Sequence, residues 1–361
     1  MSKVSNSGQK VYVGMSGGVD SSVTAALLKQ QGYDVTGVYM KNWSEDLPGM
    51  VCPWKEDYQD AKRVAVQLDI PFKMYDFQKE YRQKVVDYMV AEYQAGRTPN
   101  PDVMCNQEVK FKLFLQAALD DGADMIATGH YAQVKDGQLL TAANKEKDQT
   151  YFLYRVTEDA LAKTLMPIGD IATKDEVRKL AHGFGLATAD KKDSQGICFV
   201  GKIGIKDFLL HELGPQDAGD IVDQTGAVIG RHDGAIFYTI GQRHGLDVGG
   251  GLPYYVVGKD MQKNEVYVTT QLDDTRLWHK ELELTDLHWI NGEPEAGKTY
   301  HIRTRYRASL VECEIPEVRP PGSEDGPLNL QLAEEIRAIT PGQSAVIYDG
   351  DRVLGGGIVT Q

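Results

Sequence analysis

The stretch VYVGMSGGVDSSVTAALLKQQG, residues 11–32, decides the fold. It opens with the apolar run Val11-Tyr12-Val13, the composition of a parallel strand buried on both faces. Ser16, Gly17 and Gly18 follow as a turn. From Ser22 to Gln31 the apolar residues Val23, Ala26 and Leu27 predict a helix, and Gly32 stops it. A strand, a glycine-bearing loop and a helix in succession form a phosphate cradle. Glycines let backbone N–H groups approach oxygens, and the helix start adds its dipole. Ser16, Ser21 and Ser22 offer hydroxyl donors. The loop has no lysine where a kinase-type P-loop places one. Two glycines alone would serve equally as a structural turn.

Outward from this stretch, strand and helix keep alternating. Residues 34–40 predict a strand, 57–70 a helix, 71–77 a strand, 79–96 a long helix, 106–122 another helix and 123–130 a further buried strand. This is the pattern of an α/β doubly wound parallel sheet. Beyond about residue 205 the period changes to two, with turn dipeptides at Thr225-Gly226 and Asp233-Gly234. The expected division is an α/β unit over 1–207, a small central β unit over 208–280 and a C-terminal β-barrel over 281–361. RPPGSEDGP (319–327) reads as a surface loop.

The chain has 361 residues, 42% of them hydrophobic, enough for more than one core. No run of about 18 apolar residues suggests a membrane helix. The opening MSKVSNSGQK lacks the apolar centre of a signal peptide, so a cytoplasmic location is expected. The formal charge of −13 weighs mildly against nucleic-acid binding, although net charge does not describe local patches. The cysteines are Cys52, Cys105, Cys198 and Cys313, and their spacing suggests neither zinc nor a disulfide framework.

Two of these thiols stand out. In GRTPNPDVMCNQEVKF (96–111), Pro99 and Pro101 interrupt regular structure and place Cys105 near a helix start, where the dipole favours thiolate. Asp102, three residues earlier, is close enough to act as acid or base. In KKDSQGICFVG (191–201), Lys191 and Lys192 bring positive charge toward Cys198, although GICFV fits a buried structural cysteine equally well. Cys52 and Cys313 read as structural.

The string Ser-Gly-Gly-Val-Asp-Ser between strand and helix resembles the pyrophosphate loop of the PP-loop ATPases, which split ATP between the α and β phosphates. The missing lysine fits such nucleotidyl transfer. With NPDVMCNQEVKF, ATGHYA, KDQTYFLYR, KDSQGICFVG and FYTIGQRHGL, in order over almost the whole chain, the sequence resembles the tRNA-specific 2-thiouridylases. The resemblance implies a PP-loop domain, a central β domain and a C-terminal β-barrel. It implies ATP and Mg²⁺ as cofactors, tRNA as substrate, and a sulfur-relay protein or cysteine desulfurase as persulfide donor. A monomer without membrane attachment is expected.

On the matching positions, Cys105 would be the nucleophile, Cys198 the persulfide carrier and Asp102 the acid–base group. The ATP site would comprise Gly14, Met15, Ser16, Gly17, Gly18, Val19, Asp20 and Ser21, with Met40 and Gly129 lining the adenosine pocket. For Met40, core packing is an equal reading. Asn100, Pro101 and Asp102 would meet the target base. His130, Lys147, Asp148, Gln149, Arg305, Tyr306 and Gln343 would touch tRNA, with the alternating arginines of RTRYRA placed on one strand face. The competing reading is another PP-loop ligase with an amine nucleophile, which would need no reactive thiol.

Overall fold

The structure, a computed structural model, describes residues 8–47, 49, 51–192, 204–246, 248, 249, 251, 253–315 and 326–360. Cys198 lies outside the described residues, as does most of the 319–327 loop.

In chain order the first unit comprises β1 (Lys10–Gly14), α1 (Val19–Gln30), β2 (Asp34–Lys41), α2 (Trp54–Gln67) and β3 (Phe72–Asp76). Next come α3 (Gln78–Tyr81), a π-helical turn Arg82–Val86, α4 (Asp87–Gln94), α5 (Pro101–Met104), a second π segment Cys105–Leu113 and α6 (Phe114–Asp120). Then follow β4 (Met125–Ala127), the hairpin β5 (Ala132–Lys135) and β6 (Gln138–Thr141), α7 (Glu158–Ala162), β7 (Thr164–Leu165) and α8 (Lys174–Gly183). The sheet order is β3-β2-β1-β4-β7, with every pairing parallel. The chain moves outward through β2 and β3, then returns to the other side of β1 with β4. That reversal opens a crevice at the carboxyl end of β1, where open α/β sheets bind ligands.

α1 has the local chemistry of a stable helix. Asp20 lies in its first turn and Lys29 in its last, each opposing the dipole at its end. Gly32 follows with φ +91°, the left-handed conformation that ends helices. Val19, Val23, Ala25 and Ala26 are buried with Val11 and Val13 of β1 in one cluster.

The central unit begins after α9 (Ile205–Leu213), whose Phe208 and Leu209 pack in the same cluster as Cys105 and Val109. Its strands are β8 (Gly219–Val222), β9 (Val228–His232), β10 (Tyr255–Asp260) and β11 (Glu265–Thr269), in the order β10-β11-β8-β9. The last unit comprises β12 (Trp278–Trp289), β13 (Thr299–Arg303), β14 (Val311–Glu314), β15 (Leu328–Arg337), β16 (Ser344–Asp349) and β17 (Arg352–Val359). These six run β12-β15-β14-β13-β16-β17, and β12 pairs with β17 to close the barrel. Each barrel strand thus has a partner on both sides, and Leu282, Leu284, Ile302, Leu330 and Ile347 fill the interior.

One feature escaped the pattern reading. The hairpin β5–β6 leaves the first unit and extends the barrel sheet, with β6 beside β17. Asp351 holds it: its backbone oxygen accepts from Thr141 N at 2.8 Å, and its carboxylate accepts from Thr141 Oγ1 at 2.6 Å and Lys145 Nζ at 2.5 Å. Tyr151, Tyr154, Val346, Tyr348 and Val353 share a core cluster with Tyr12 and Val38, so the barrel and the parallel sheet are packed as one body.

Other expectations needed adjustment. The helix expected at 106 begins at Pro101, because proline is tolerated at the first helical position and Asn100 caps it. The strand expected to carry the arginines of RTRYRA ends at Arg303 and gives way to a turn, so RTRYRA does not form a single basic strand face.

Gly355 of β17 tests barrel closure. Its φ is +142°, and an added Cβ would sit 2.1 Å from the His288 backbone oxygen and 2.8 Å from the Trp289 ring. Gly355→Ala should cost about 3 kcal/mol, seen as a lowered midpoint in thermal or urea unfolding.

Candidate active site

The loop after β1 is shaped by two glycines at positions where a side chain would collide with backbone. Gly17 has φ +79°, and an added Cβ would lie 2.3 Å from the Asp57 oxygen on α2. A Cβ on Gly129, just beyond β4, would lie 2.7 Å from Ser21 N in the first turn of α1. Gly18 is the N-cap of α1 and provides no side-chain cap. The helix start thus presents backbone N–H groups at the crevice, as a phosphate cradle requires.

The loop serines fold back on it. Ser16 N donates to Ser21 Oγ at 3.2 Å, and Ser21 Oγ and Ser22 Oγ donate to the Gly18 oxygen at 3.2 and 2.8 Å. Met15 and Val19 point into the core, so any contact they make with a ligand is through backbone. Asp20 accepts from Tyr131 Oη at 2.9 Å and from Lys174 Nζ at 2.7 and 2.8 Å. Met40, half-buried at the end of β2, places its methyl 3.0 Å from where a Gly14 Cβ would be. It packs against the cluster that includes Tyr12, Val38 and Phe114, as the packing reading of Met40 expects.

The thiol region lies on the next layer. Asn100 Oδ1 accepts from Asp102 N at 3.2 Å, fixing the start of α5. Asp102 occupies the first helical turn. Cys105 is one turn further along, 3% exposed, at the head of the π segment. The helix-start effect falls off within the first turn, so it acts on Asp102 more directly than on Cys105. π segments recur at functional sites because they disturb regular helical spacing locally. Burial raises the Asp102 carboxyl above the usual range, while the charge of Lys110 opposes that rise.

His130 follows Gly129 directly and joins the two regions. It is buried, its Nδ1 lies 2.8 Å from Thr128 Oγ1, and its ring packs 5.6 Å from Phe111 of the π segment. Burial and the nearby Lys110 charge hold the imidazole well below its usual pKa and therefore neutral. Lys110 thus acts on both Asp102 and His130. Lys110 lies in the motif NPDVMCNQEVKF without an expected role, and the π segment that sets which side it faces leaves no trace in the spacing.

The arrangement separates an anion cradle from a buried carboxyl and thiol by the short path Ser21–Gly129–His130–Phe111. Such a site can hold a nucleotide at one end and a base at the other. Three family descriptions match the chain in sequence: a tRNA methyl transferase HUP domain over residues 9–202, a tRNA methyl transferase PRC-barrel domain over 206–270 and an aminomethyltransferase beta-barrel domain over 279–359. The chain is 48% identical over 360 residues to the tRNA-specific 2-thiouridylase of Listeria innocua, covering 98% of this chain and 95% of that one. It is 47% identical over 355 residues to the Bacillus subtilis protein of the same name, covering 97% and 94%. The chain belongs to the tRNA-specific 2-thiouridylase family.

The positions expected to touch tRNA divide by where their polar groups go. Asp148 is buried; its oxygens accept from Ala142 N at 2.9 Å and Thr150 Oγ1 at 2.7 Å, and Arg303 lies 3.6 Å away. Arg305 Nη2 donates to the oxygens of Ile240 and Ala338 at 3.0 and 2.9 Å and to Thr340 Oγ1 at 2.5 Å. Gln343 Nε2 donates to the Thr98 oxygen at 2.8 Å. Gln149 holds Tyr131 N at 2.9 Å through Oε1. Lys147 lines a cleft of about 510 Å³ with Asn144, Lys145, Thr173 and Lys174. Tyr306 is half-buried against Phe152, ring centroids 4.5 Å apart.

The remaining thiols are packed away. Cys313 is buried in the barrel, and its pKa is pushed up to about 12; burial also raises that of Cys52. Lys191, expected to bring positive charge toward Cys198, is paired with Asp57 and Asp60, both at 2.7 Å.

The sign for Asp102 follows from its raised pKa. The folded state holds the Asp102 proton more tightly than the unfolded chain, so ionisation costs stability as pH rises through the folded value. Asp102→Asn should therefore melt higher than the parent at pH 7. The gain should vanish at acid pH, where Asp102 is protonated in both states. Thermal melts of both proteins between pH 3 and 8 measure this, and thiolation should be lost throughout.

Proposed function

We propose that this chain converts the 2-oxo group of the wobble uridine in tRNA to 2-thio, with consumption of ATP. The observation that carries the reading is the direct join between cradle and thiol region through Gly129 and His130. Gly14, Ser16, Gly17, Gly18 and Ser21 hold the phosphates of ATP, with Met15 and Val19 contributing backbone and Asp20 fixed by Lys174. Met40 and Gly129 line the adenosine pocket, and the positions that admit no Cβ, Gly17 and Gly129, hold the loop against its neighbours. When bound, ATP with Mg²⁺ turns the uracil 2-oxygen into a leaving group that departs in AMP. Mg²⁺ would enter with the phosphates of ATP.

Asp102, with its raised pKa, moves a proton at the base, and Asn100 and Pro101 set its position. Cys198 carries the persulfide delivered by a sulfur-relay protein or desulfurase. Attack of the Cys105 thiolate on the Cys198 sulfur forms a Cys105–Cys198 disulfide and releases hydrosulfide, which displaces AMP at C2. An external thiol then reduces the disulfide. Lys147, Gln149 and Tyr306 contact tRNA directly. His130, Asp148, Arg305 and Gln343, with polar groups engaged inside the protein, hold that surface in shape. The units are a catalytic domain, a central β domain and a barrel, with boundaries near 207 and 280, acting as a monomer in the cytoplasm. Among the described residues no helix is long and apolar enough to cross a membrane.

Incubation with unmodified tRNA, ATP, Mg²⁺ and a persulfide donor should yield 2-thiouridine by nucleoside mass spectrometry. Cys198→Ser should abolish that product while ATP–pyrophosphate exchange continues. Loss of both in a folded variant would count against Cys198 as the sulfur carrier.

A further inference from the structure

Four residues before Asp102, one residue gathers all three units. Thr98 is 8% exposed, and each of its polar groups is engaged. Its N donates to the Pro341 oxygen at 2.8 Å, and its oxygen accepts from Gln343 Nε2 at 2.8 Å. Both partners come from the barrel segment between β15 and β16. Its hydroxyl lies 3.2 Å from Thr239 Oγ1 of the central unit.

The surroundings leave little room for this node to shift. Gly342 has φ +91°, and an added Cβ would sit 2.8 Å from Thr98 N. Gly241 approaches the barrel closely enough that its Cβ would lie 2.5 Å from Ala338 Cβ. Arg305 then links Ile240 of the central unit to Ala338 and Thr340 of the barrel. Lys259, from β10, donates to the Tyr238 oxygen at 2.8 Å beside the same turn. Both β units are thus tied to each other where they grip Thr98.

The chain between Thr98 and Asp102 is Pro99-Asn100-Pro101. Each proline fixes its own φ and restricts the residue before it. Asn100 is spent on capping α5. The segment therefore acts as a short stiff arm, and the orientation of α5 follows from how its far end is held.

The geometry points to Thr98 as a positioning residue for thiolation: its hydroxyl bond to Thr239 and its backbone bonds to the barrel set the placement of Asp102 and Cys105. This rests on the assignment of those two residues as reacting groups. It gives the β units a part in the chemistry besides holding tRNA. The hydroxyl pair is the part of the node that can be removed without disturbing the backbone bonds.

The test compares Thr98→Val, Thr98→Ser, Thr239→Val and the double valine variant in single-turnover thiolation of unmodified tRNA. Valine keeps the shape and removes the hydroxyl. Thr98→Val should lower the rate constant about tenfold, as small misplacements of reacting groups do. KM for tRNA and ATP should stay within twofold, with little change in melting temperature. Thr98→Ser should restore the rate to within twofold of the parent. Thr239→Val should match Thr98→Val, and the double variant should be no slower than either single. A Thr98→Val rate within twofold of the parent overturns the role, as does a loss that serine does not restore or one that resides in KM. A parent chain that makes no 2-thiouridine overturns the reaction assignment and this role with it. A working parent beside an equally fast Thr98→Val overturns Thr98 alone.

Discussion

The approach of Gly129 to the first turn of α1 is the constraint on which the site depends. A single methyl at that position would meet Ser21 N at 2.7 Å, so the end of β4 and the phosphate loop are set by backbone contact alone. The next residue, His130, turns that contact toward the thiol layer through Phe111. The cradle and the Asp102 helix are consequently built on the same strand end. Neither can be repositioned without the other, which is what a reaction joining a nucleotide to a base requires. Burial keeps His130 neutral, so the positive charge near Asp102 comes from Lys110.

Much of this was legible in the chain. The βα succession over 11–32 identified the parallel sheet, since a buried parallel strand and an amphipathic helix have different periods. The motif string sets Asp102 three residues before Cys105, but pattern alone leaves both ahead of a helix expected from 106. Pro99 and Pro101 read as breakers, whereas Pro101 at a capped helix start is favourable, so the helical run takes in both residues. Arg303, Arg305 and Arg307 were read as a period-two strand, and local pattern carries no information on what a strand meets. Arg303 pairs with Asp148, and Arg305 meets carbonyls from two other segments. The same limit hid Thr98, whose partners lie at positions 239, 341 and 343, and the hairpin β5–β6, whose partner strand lies more than two hundred residues away.

The charge distribution also becomes clearer. A chain of formal charge −13 handles an anionic substrate by spending its cations selectively. Several are neutralised internally: Lys191 by Asp57 and Asp60, Arg155 by Asp286, Lys174 by Asp20. Arg305 is half-buried among carbonyls, and burial lowers its pKa. Net charge alone therefore says little about where a polyanion would lie on this surface.

The pairing of β6 with β17 also bears on how the chain folds. Leu140 opposite Arg352, and Thr141 bonded to Asp351, join segments more than two hundred residues apart. β17 is also the strand that closes the barrel against β12. Until β17 is in place, the hairpin waits with its strand edge unpaired, an exposure that invites wrong partners. Closing the barrel and tying it to the parallel-sheet unit are thus one folding event, and one that pairings so distant in the chain make slow.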